Sequence, residues 1–351
     1  MDSRPVKTTG RLYLISRRLG RALIYVVLIL GAFISIVPFV WMISASLMTR
    51  NEALGSRMIT RQPLLEKFTY PEGELDILLS ENVPDFIKDT DPLGLHEQKM
   101  TAREYADQSE TYWAVGNSVY RGGLVNYLFA WREGDFSEFL ANSIQITFIT
   151  LSGQLIFSVL AAYAFARVKF PGRNLIFGIL LSSMMIPGMV TMIPNFITIT
   201  WFQRIGPLKW FDNWPALTIP FMGSVFAIFL LRQFFAQIPD DLFDAAQIDG
   251  ASHLQFLMKI VLPLSKAPIL VLTVLSFIGS WNALAWPLLV TKTPDWRPIA
   301  VGLYYFVDAE AGSWLNFQMA GAVVTIIPIL ILYFITQRQF TESISRTGLK
   351  G

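Results

Sequence analysis

An all-α polytopic membrane protein with six transmembrane helices is the fold class this chain predicts, and three observations predict it. Of its 351 residues, 53% are hydrophobic and 15% charged, with a mean hydropathy of +0.46; a soluble domain of this length carries far more charge. Six apolar segments approach the roughly 20 residues needed to cross a bilayer. Basic residues collect in the segments sharing one side of a six-span arrangement, and acids in the longest segment on the other.

The spans are expected near 22–47, 138–166, 174–200, 215–235, 266–290 and 318–337. A basic N-terminal segment, 1–21, with Arg4, Lys7, Arg11, Arg17, Arg18 and Arg21, precedes the first span. That span's apolar run is too long for a cleaved signal peptide and is expected to be retained. Pro187, Pro194 and Pro220 should kink or break their helices, which a membrane protein tolerates where backbone lines a cavity.

Arg167, Lys169, Arg173, Lys259, Lys266, Arg338, Arg346 and Lys350 fall on the same side as the N-terminal cluster. That side is therefore expected to be cytoplasmic, with both termini there. The opposite side holds residues 50–137, an insertion between the first two spans. Its stretch 66–91 carries Glu66, Glu72, Glu74, Asp76, Glu81, Asp85, Asp89 and Asp91 against only Lys67 and Lys88. Pro63, Pro71, Pro84 and Pro92 punctuate its first half. Thr101-Ala-Arg-Glu104 reads as a capping box opening a helix toward Val115, and Gly122-Gly123 ends the unit. Tyr70, Phe86, Tyr105, Tyr112, Trp113 and Tyr120 suffice for a small packed cap; a cap over the outer mouth whose acidic residues meet another protein and a tolerated surface insertion are equally good readings.

Between the fourth and fifth spans, at 236–265, lies a polar segment rich in small residues. A short helix should begin after Pro239, with Asp240, Asp241 and Asp244 in its first turns, where acids favour the positive helix end. Ala245 and Ala246 let another surface approach closely. Gly250 permits the left-handed conformation that ends a helix. Leu254, Leu257 and Met258 give a second amphipathic turn, and Pro263 separates it from the next span. From composition alone, a partnerless cytoplasmic elbow is as good a reading.

Several chemistries are excluded. The chain has no cysteine, so thiol nucleophiles, disulfides and Cys-zinc sites are out. His96 and His253 have no ligand-spaced companions, so no metal site is expected. No Gly-x-x-x-x-Gly-Lys-Ser/Thr sequence occurs, so the chain should not itself hydrolyse ATP. Carboxylates are essentially absent from the spans, which argues against a proton or sodium relay. Polar residues within or beside the spans remain: Asn142, Gln145, Ser182, Ser183, Asn195, Thr198, Ser280, Asn282 and Gln318, near Trp281 and Trp286. Neutral donors and acceptors beside aromatic rings suit sugars; for any single one of these residues, interhelical hydrogen bonds and interfacial tryptophans are the simpler account. Asn195, Ser280, Asn282 and Trp286 are the candidate path residues.

Asp244-Ala-Ala-Gln-Ile-Asp-Gly-Ala251 with Ile260-Val-Leu-Pro263 resembles the coupling loop of ABC-importer permeases: Glu-Ala-Ala, three residues, Gly, nine residues, then Ile-x-Leu-Pro. Gly250, Ile260, Leu262 and Pro263 fall at that spacing, and Asp244 stands where the family has Glu. Ala161-Ala-Tyr-Ala-Phe-Ala-Arg167, Phe170-Pro-Gly-Arg173, Met185-Ile-Pro-Gly188, Leu231-Arg-Gln-Phe-Phe235 and Trp281-Asn282 are similar to the carbohydrate, maltose-type branch. The resemblance covers roughly 20–50 and 124–351, leaving 55–122 as an insertion.

The resemblance implies a transport subunit rather than an enzyme, forming the path for a sugar or sugar derivative in a bacterial or archaeal plasma (inner) membrane. It implies that Asp244, Ala245, Ala246, Asp249 and Gly250 dock in a cleft of an ATPase subunit, which uses ATP and Mg; this chain would bind no cofactor. The implied partners are a second permease subunit, two ATP-binding subunits, an extracytoplasmic solute-binding protein and lipid, with no nucleic acid. Two alternatives are a permease for polyamine, phosphate or amino acid, and a non-transporting anchor for the 55–122 insertion.

Overall fold

The computed structural model describes residues 9–55, 58–81, 83, 99–108, 112–133, 135–305 and 315–347, with backbone alone at 9–19, 50, 51, 107, 108, 133, 305 and 338–347. The expectations resting on Arg4, Lys7, Pro84, Asp85, Phe86, Lys88, Asp89, Asp91, Pro92, His96 and Lys350 lie outside the described residues. Among the described residues, four helices are long and apolar enough to cross a membrane: Gly20–Ser46, Phe136–Arg167, Trp214–Ala236 and Leu315–Gln337. Two bent pairs, Arg173–Ser183 with Gly188–Ile205 and His253–Leu264 with Lys266–Trp281, bring the count to six if each is one span. The chain divides into two compact units, 1–129 with 314–323, and 130–313 with 324–351.

In the first unit, helix α1 (Thr9–Ser46) runs through Pro38 and exposes Leu23, Val26, Leu30, Phe33 and Ile34, as a lipid-facing helix does. Asn126 is buried and donates its amide to the carbonyls of Ser46 and Met48, both at 2.8 Å. It thereby satisfies carbonyls at the end of α1 that have no intrahelical partner. Asn316 in turn donates to Asn126 Oδ1 at 3.1 Å.

The insertion is not helical throughout, which corrects the all-α expectation for this segment. The capping box forms: Thr101 N–H donates to Glu104 at 2.8 Å and Glu104 N–H to Thr101 Oγ1 at 3.2 Å. Its helix, α2 (Ala102–Gln108), stops well short of Val115. Strands β1 (Glu66–Thr69), β2 (Tyr112–Val115) and β3 (Ser118–Arg121) form an antiparallel sheet of order β1-β3-β2. Gly116-Asn117 is the two-residue turn between β2 and β3, with Gly116 at φ +56. Tyr112 and Ala114 alternate inward onto Leu75, Leu79, Ala102 and Ala106. That period of two won over helix propensity.

In the second unit, helix α3 (Phe136–Arg167) is the second span. The third is broken. Helix α4 (Arg173–Ser183) and helix α5 (Gly188–Ile205) meet at 103° around Pro187, and α5 continues through Pro194. The fourth comprises α6 (Trp214–Thr218), a 3₁₀ turn over Ile219–Phe221 at Pro220, and α7 (Val225–Ala236), capped by Ser224 Oγ on Ala227 N–H.

The expected continuous span 266–290 is two helices, α10 (Lys266–Trp281) and α11 (Ala285–Val290), once the short helices α8 (Asp240–Ile248) and α9 (His253–Phe256) are counted before them. Pro287 cannot donate to the carbonyl of Ala283 and its ring crowds that group, so a helix across 283–287 is disfavoured. Helix α12 (Ile299–Tyr305) follows, then α13 (Leu315–Thr347). The largest core of this unit joins Tyr163, Leu231, Phe235, Ala246, Phe256, Leu257, Val261 and Leu272.

Candidate functional site

The motif segment is built from its ends inward. Pro239 precedes α8, whose first turn carries Asp240 and Asp241. Gly250 adopts φ +79. Its N–H donates to Gln247 O at 3.0 Å, and Ala251 N–H donates to Ala246 O at 2.8 Å. This pair of bonds is the Schellman closure, which needs a left-handed residue at the position of Gly250. Ser252 then opens α9 with a reciprocal box: Ser252 N–H donates to Gln255 Oε1 at 2.8 Å and Gln255 N–H to Ser252 Oγ at 3.3 Å. A π-helical stretch, Leu257–Val261, follows. Pro263 has no N–H for the carbonyl of Lys259, and the helix accommodates this by widening its register. The chain then bends by 80° at Ser265 into α10.

Of the five motif residues, Asp244, Ala245, Asp249 and Gly250 are exposed together. Ala246 is not: it is buried in the unit's own core beside Phe243 and Phe256. Its methyl packs inward instead of standing with the exposed four. Ile248, 87% exposed, with Leu254 and Met258, adds apolar surface beside the carboxylates.

Two side chains of the last turn of α3 hold this segment. Arg167, its side chain 5% exposed, donates to the carbonyl of Phe235 through Nε at 3.2 Å and Nη2 at 2.9 Å. It also bonds the carbonyl of Ile238 and pairs with the Asp240 carboxylate. Tyr163, one turn earlier, places its hydroxyl 2.9 Å from His253 Nδ1.

A cavity of about 450 Å³ opens in the same unit between α3, α10, α11 and the turn before α7. Gln154, Ser224, Ser276 and Ser280 supply neutral polar groups, and Phe221, Phe226 and Trp286 supply rings. None of its lining residues carries a charge. Trp286 is fixed by its Nε1–H, which donates to Ala216 O at 2.8 Å.

Ser280 and Trp286, both anticipated, thus share the cavity. Asn282 and Asn195 are not among its lining residues. Asn282 is exposed and donates back to Ile278 O at 3.1 Å, closing the end of α10, and Asn195 lies exposed on α5. Neighbouring Trp281 is buried, with Nε1–H on Thr325 O at 3.0 Å. Sequence reasoning missed Gln154, Ser224 and Ser276. The four-residue spacing of Ser276 and Ser280, which puts them on one helix face, was the available signal.

Residues 154–346 match the family model described as "Binding-protein-dependent transport system inner membrane component". The chain is 34% identical over 233 residues to the sn-glycerol-3-phosphate transport system permease protein UgpE of Yersinia enterocolitica serotype O:8 / biotype 1B, covering 66% of this chain and 79% of that protein. It is 36% identical over 215 residues to the UgpE of Escherichia coli O1:K1 / APEC, covering 61% and 74%. A bacterial ABC transporter involved in import of the acidic polysaccharide alginate has a chain of similar fold, with TM-score 0.63 and 21% identity over 96% of this chain and 99% of that one.

Proposed function

The chain belongs to the family of binding-protein-dependent transport system inner membrane components, and from that premise we propose that it forms half of an ATP-driven import path for an uncharged carbohydrate. It is a transport subunit of an ABC importer, not an enzyme. ATP hydrolysis, with Mg, belongs to two copies of a separate subunit, and a second permease chain and an extracytoplasmic solute-binding protein complete the assembly. The segment 236–265 and both termini face the cytoplasm, and 50–137 faces outward.

The observation that carries the carbohydrate reading is the cavity: hydroxyls, one amide and three rings, with no charged side chain. Sugar hydroxyls need donors and acceptors, and their C–H faces rest on rings. An anion there would lose its hydration without a cation to replace it. A second reading, a phosphorylated solute, is favoured by the name of the UgpE relatives and would require the cations to come from the other permease chain.

Two experiments test the proposal. Affinity purification should bring down an ATPase subunit with the chain; its consistent absence from an intact membrane extract contradicts the importer reading. For orientation, the cysteine-free chain allows single-residue labelling. A membrane-impermeant thiol reagent on whole cells should reach Glu66→Cys and not Ser252→Cys, and the reverse pattern inverts the topology.

A further inference from the structure

The end of α3 holds the motif segment at two places. At its start, Arg167 bonds the carbonyls of Phe235 and Ile238 and the Asp240 carboxylate. Beyond the exposed turn, Tyr163 bonds His253, the first residue of α9. The two residues are four apart, so they project from one face of α3, and the exposed turn Asp244–Gly250 lies in the chain between the two anchors. The same helix lines the cavity farther along, at Ser143, Ile146, Thr150 and Gln154. The bend at Ser265 and the π-helical stretch before it interrupt the continuous backbone route from the motif segment into α10, whereas the route through side chains into α3 is short and buried at Arg167.

We propose that Tyr163 and Arg167 are positioning residues that clamp the motif segment to α3, so that a displacement of the segment is delivered to the cavity by α3 rather than by α10. This rests on the reading of the chain as an ATP-driven permease subunit. Within it, the Tyr163–His253 bond is the more informative half. Arg167 also stabilises the end of α7, so its loss mixes transmission with folding. Removing the Tyr163 hydroxyl leaves the ring, its core packing and the Arg167 contacts in place.

The test uses the whole complex in proteoliposomes, measuring solute imported and ATP hydrolysed in one sample for wild type, Tyr163→Phe, His253→Ala and the double variant. We expect Tyr163→Phe to retain subunit association and ATP hydrolysis. Import per ATP should fall about fivefold, the factor corresponding to the net worth of one hydrogen bond. The double variant should fall no further than the lower single variant, because both changes remove one interaction. An unchanged import-to-ATP ratio in Tyr163→Phe, independent losses that multiply in the double variant, or loss of subunit association in Tyr163→Phe would each overturn the clamp. A wild-type complex whose import is indifferent to ATP removes the transport reading itself; a coupled wild type with an equally coupled Tyr163→Phe removes the clamp alone.

Discussion

Arg167 and Asp240 join the last residue of one membrane-spanning helix to the first residue of the motif helix, with the guanidinium buried and the carboxylate exposed. The guanidinium also donates, through Nε and Nη2, to the carbonyls of Phe235, in the last turn of α7, and Ile238, just beyond it. One planar side chain therefore fixes the angle at which α8 leaves the membrane-spanning helices. Lysine has the charge but not the fork. Arg167→Lys should keep the protein in the membrane while loosening the start of α8, seen as faster amide exchange over 238–244. Arg167→Ala should lower stability by about 1.5–3 kcal/mol, the worth of hydrogen bonds to a charged group. Equal exchange in wild type and Arg167→Lys would show that the fork is dispensable.

Adjacent alanines of the motif should respond in opposite ways. Ala245 is exposed and Ala246 buried. Ala245→Trp should leave thermal stability within about 0.5 kcal/mol of wild type and abolish ATPase association. Ala246→Trp overpacks the core around Phe243 and Phe256 and should cost about 1–3 kcal/mol or more. Melting curves with parallel co-purification separate the two; identical behaviour would contradict the assigned faces.

Gly250 closes α8 in the left-handed region. A Cβ there meets nothing within 4 Å, so any penalty is backbone strain rather than crowding. Gly250→Val should cost about 1–3 kcal/mol, and Gly250→Asn much less, since Asn visits this region readily. Uptake should follow the same order, and equal uptake in the two variants would contradict it.

Asp212, itself at φ +57, accepts the N–H of Lys292 at 2.8 Å and of Thr293 at 2.9 Å. Burial pushes its carboxyl up, but Thr293, Lys292 and the charge of Lys209 together hold it below the usual carboxylate value. A lowered folded value means the charged form stabilises the fold above the ordinary carboxylate pKa, and that this contribution is lost as pH falls through the folded value. Asp212→Asn tolerates the same backbone conformation and should cost about 1 kcal/mol at neutral pH, with the gap to wild type closing in acid. Melting temperatures across pH 3–7 (roughly the range about a carboxylate pKa) check this; a gap that widens in acid reverses the sign and defeats the account.

The spans were legible because lipid imposes length and apolarity on each segment. The Schellman closure at Gly250 was legible because only one local conformation ends that helix well. The facing of α8 was not. Leu242, Ala245 and Ile248 form one three-residue stripe and Phe243 with Ala246 another, so periodicity alone offers two apolar faces. The Gly116-Asn117 hairpin was present as a turn signal between Tyr-Trp-Ala-Val and Ser-Val-Tyr-Arg, but the capping box at Thr101 drew the reading toward helix. The cavity was legible only in part: Ser276 and Ser280 share one face of α10 by their spacing, but Gln154, Ser224 and Ser276 come from three separate segments and meet only through tertiary packing.

The most direct measurement places a benzophenone on single cysteines in the cysteine-free chain and irradiates the intact complex. Ala245→Cys and Asp249→Cys should crosslink to the ATPase subunit, in yields that change when ATP is trapped there, while Trp210→Cys, placed outward by the proposed topology, should not. Crosslinking from Trp210→Cys with none from Ala245→Cys or Asp249→Cys would contradict the claim that the motif segment receives the motion of the ATPase.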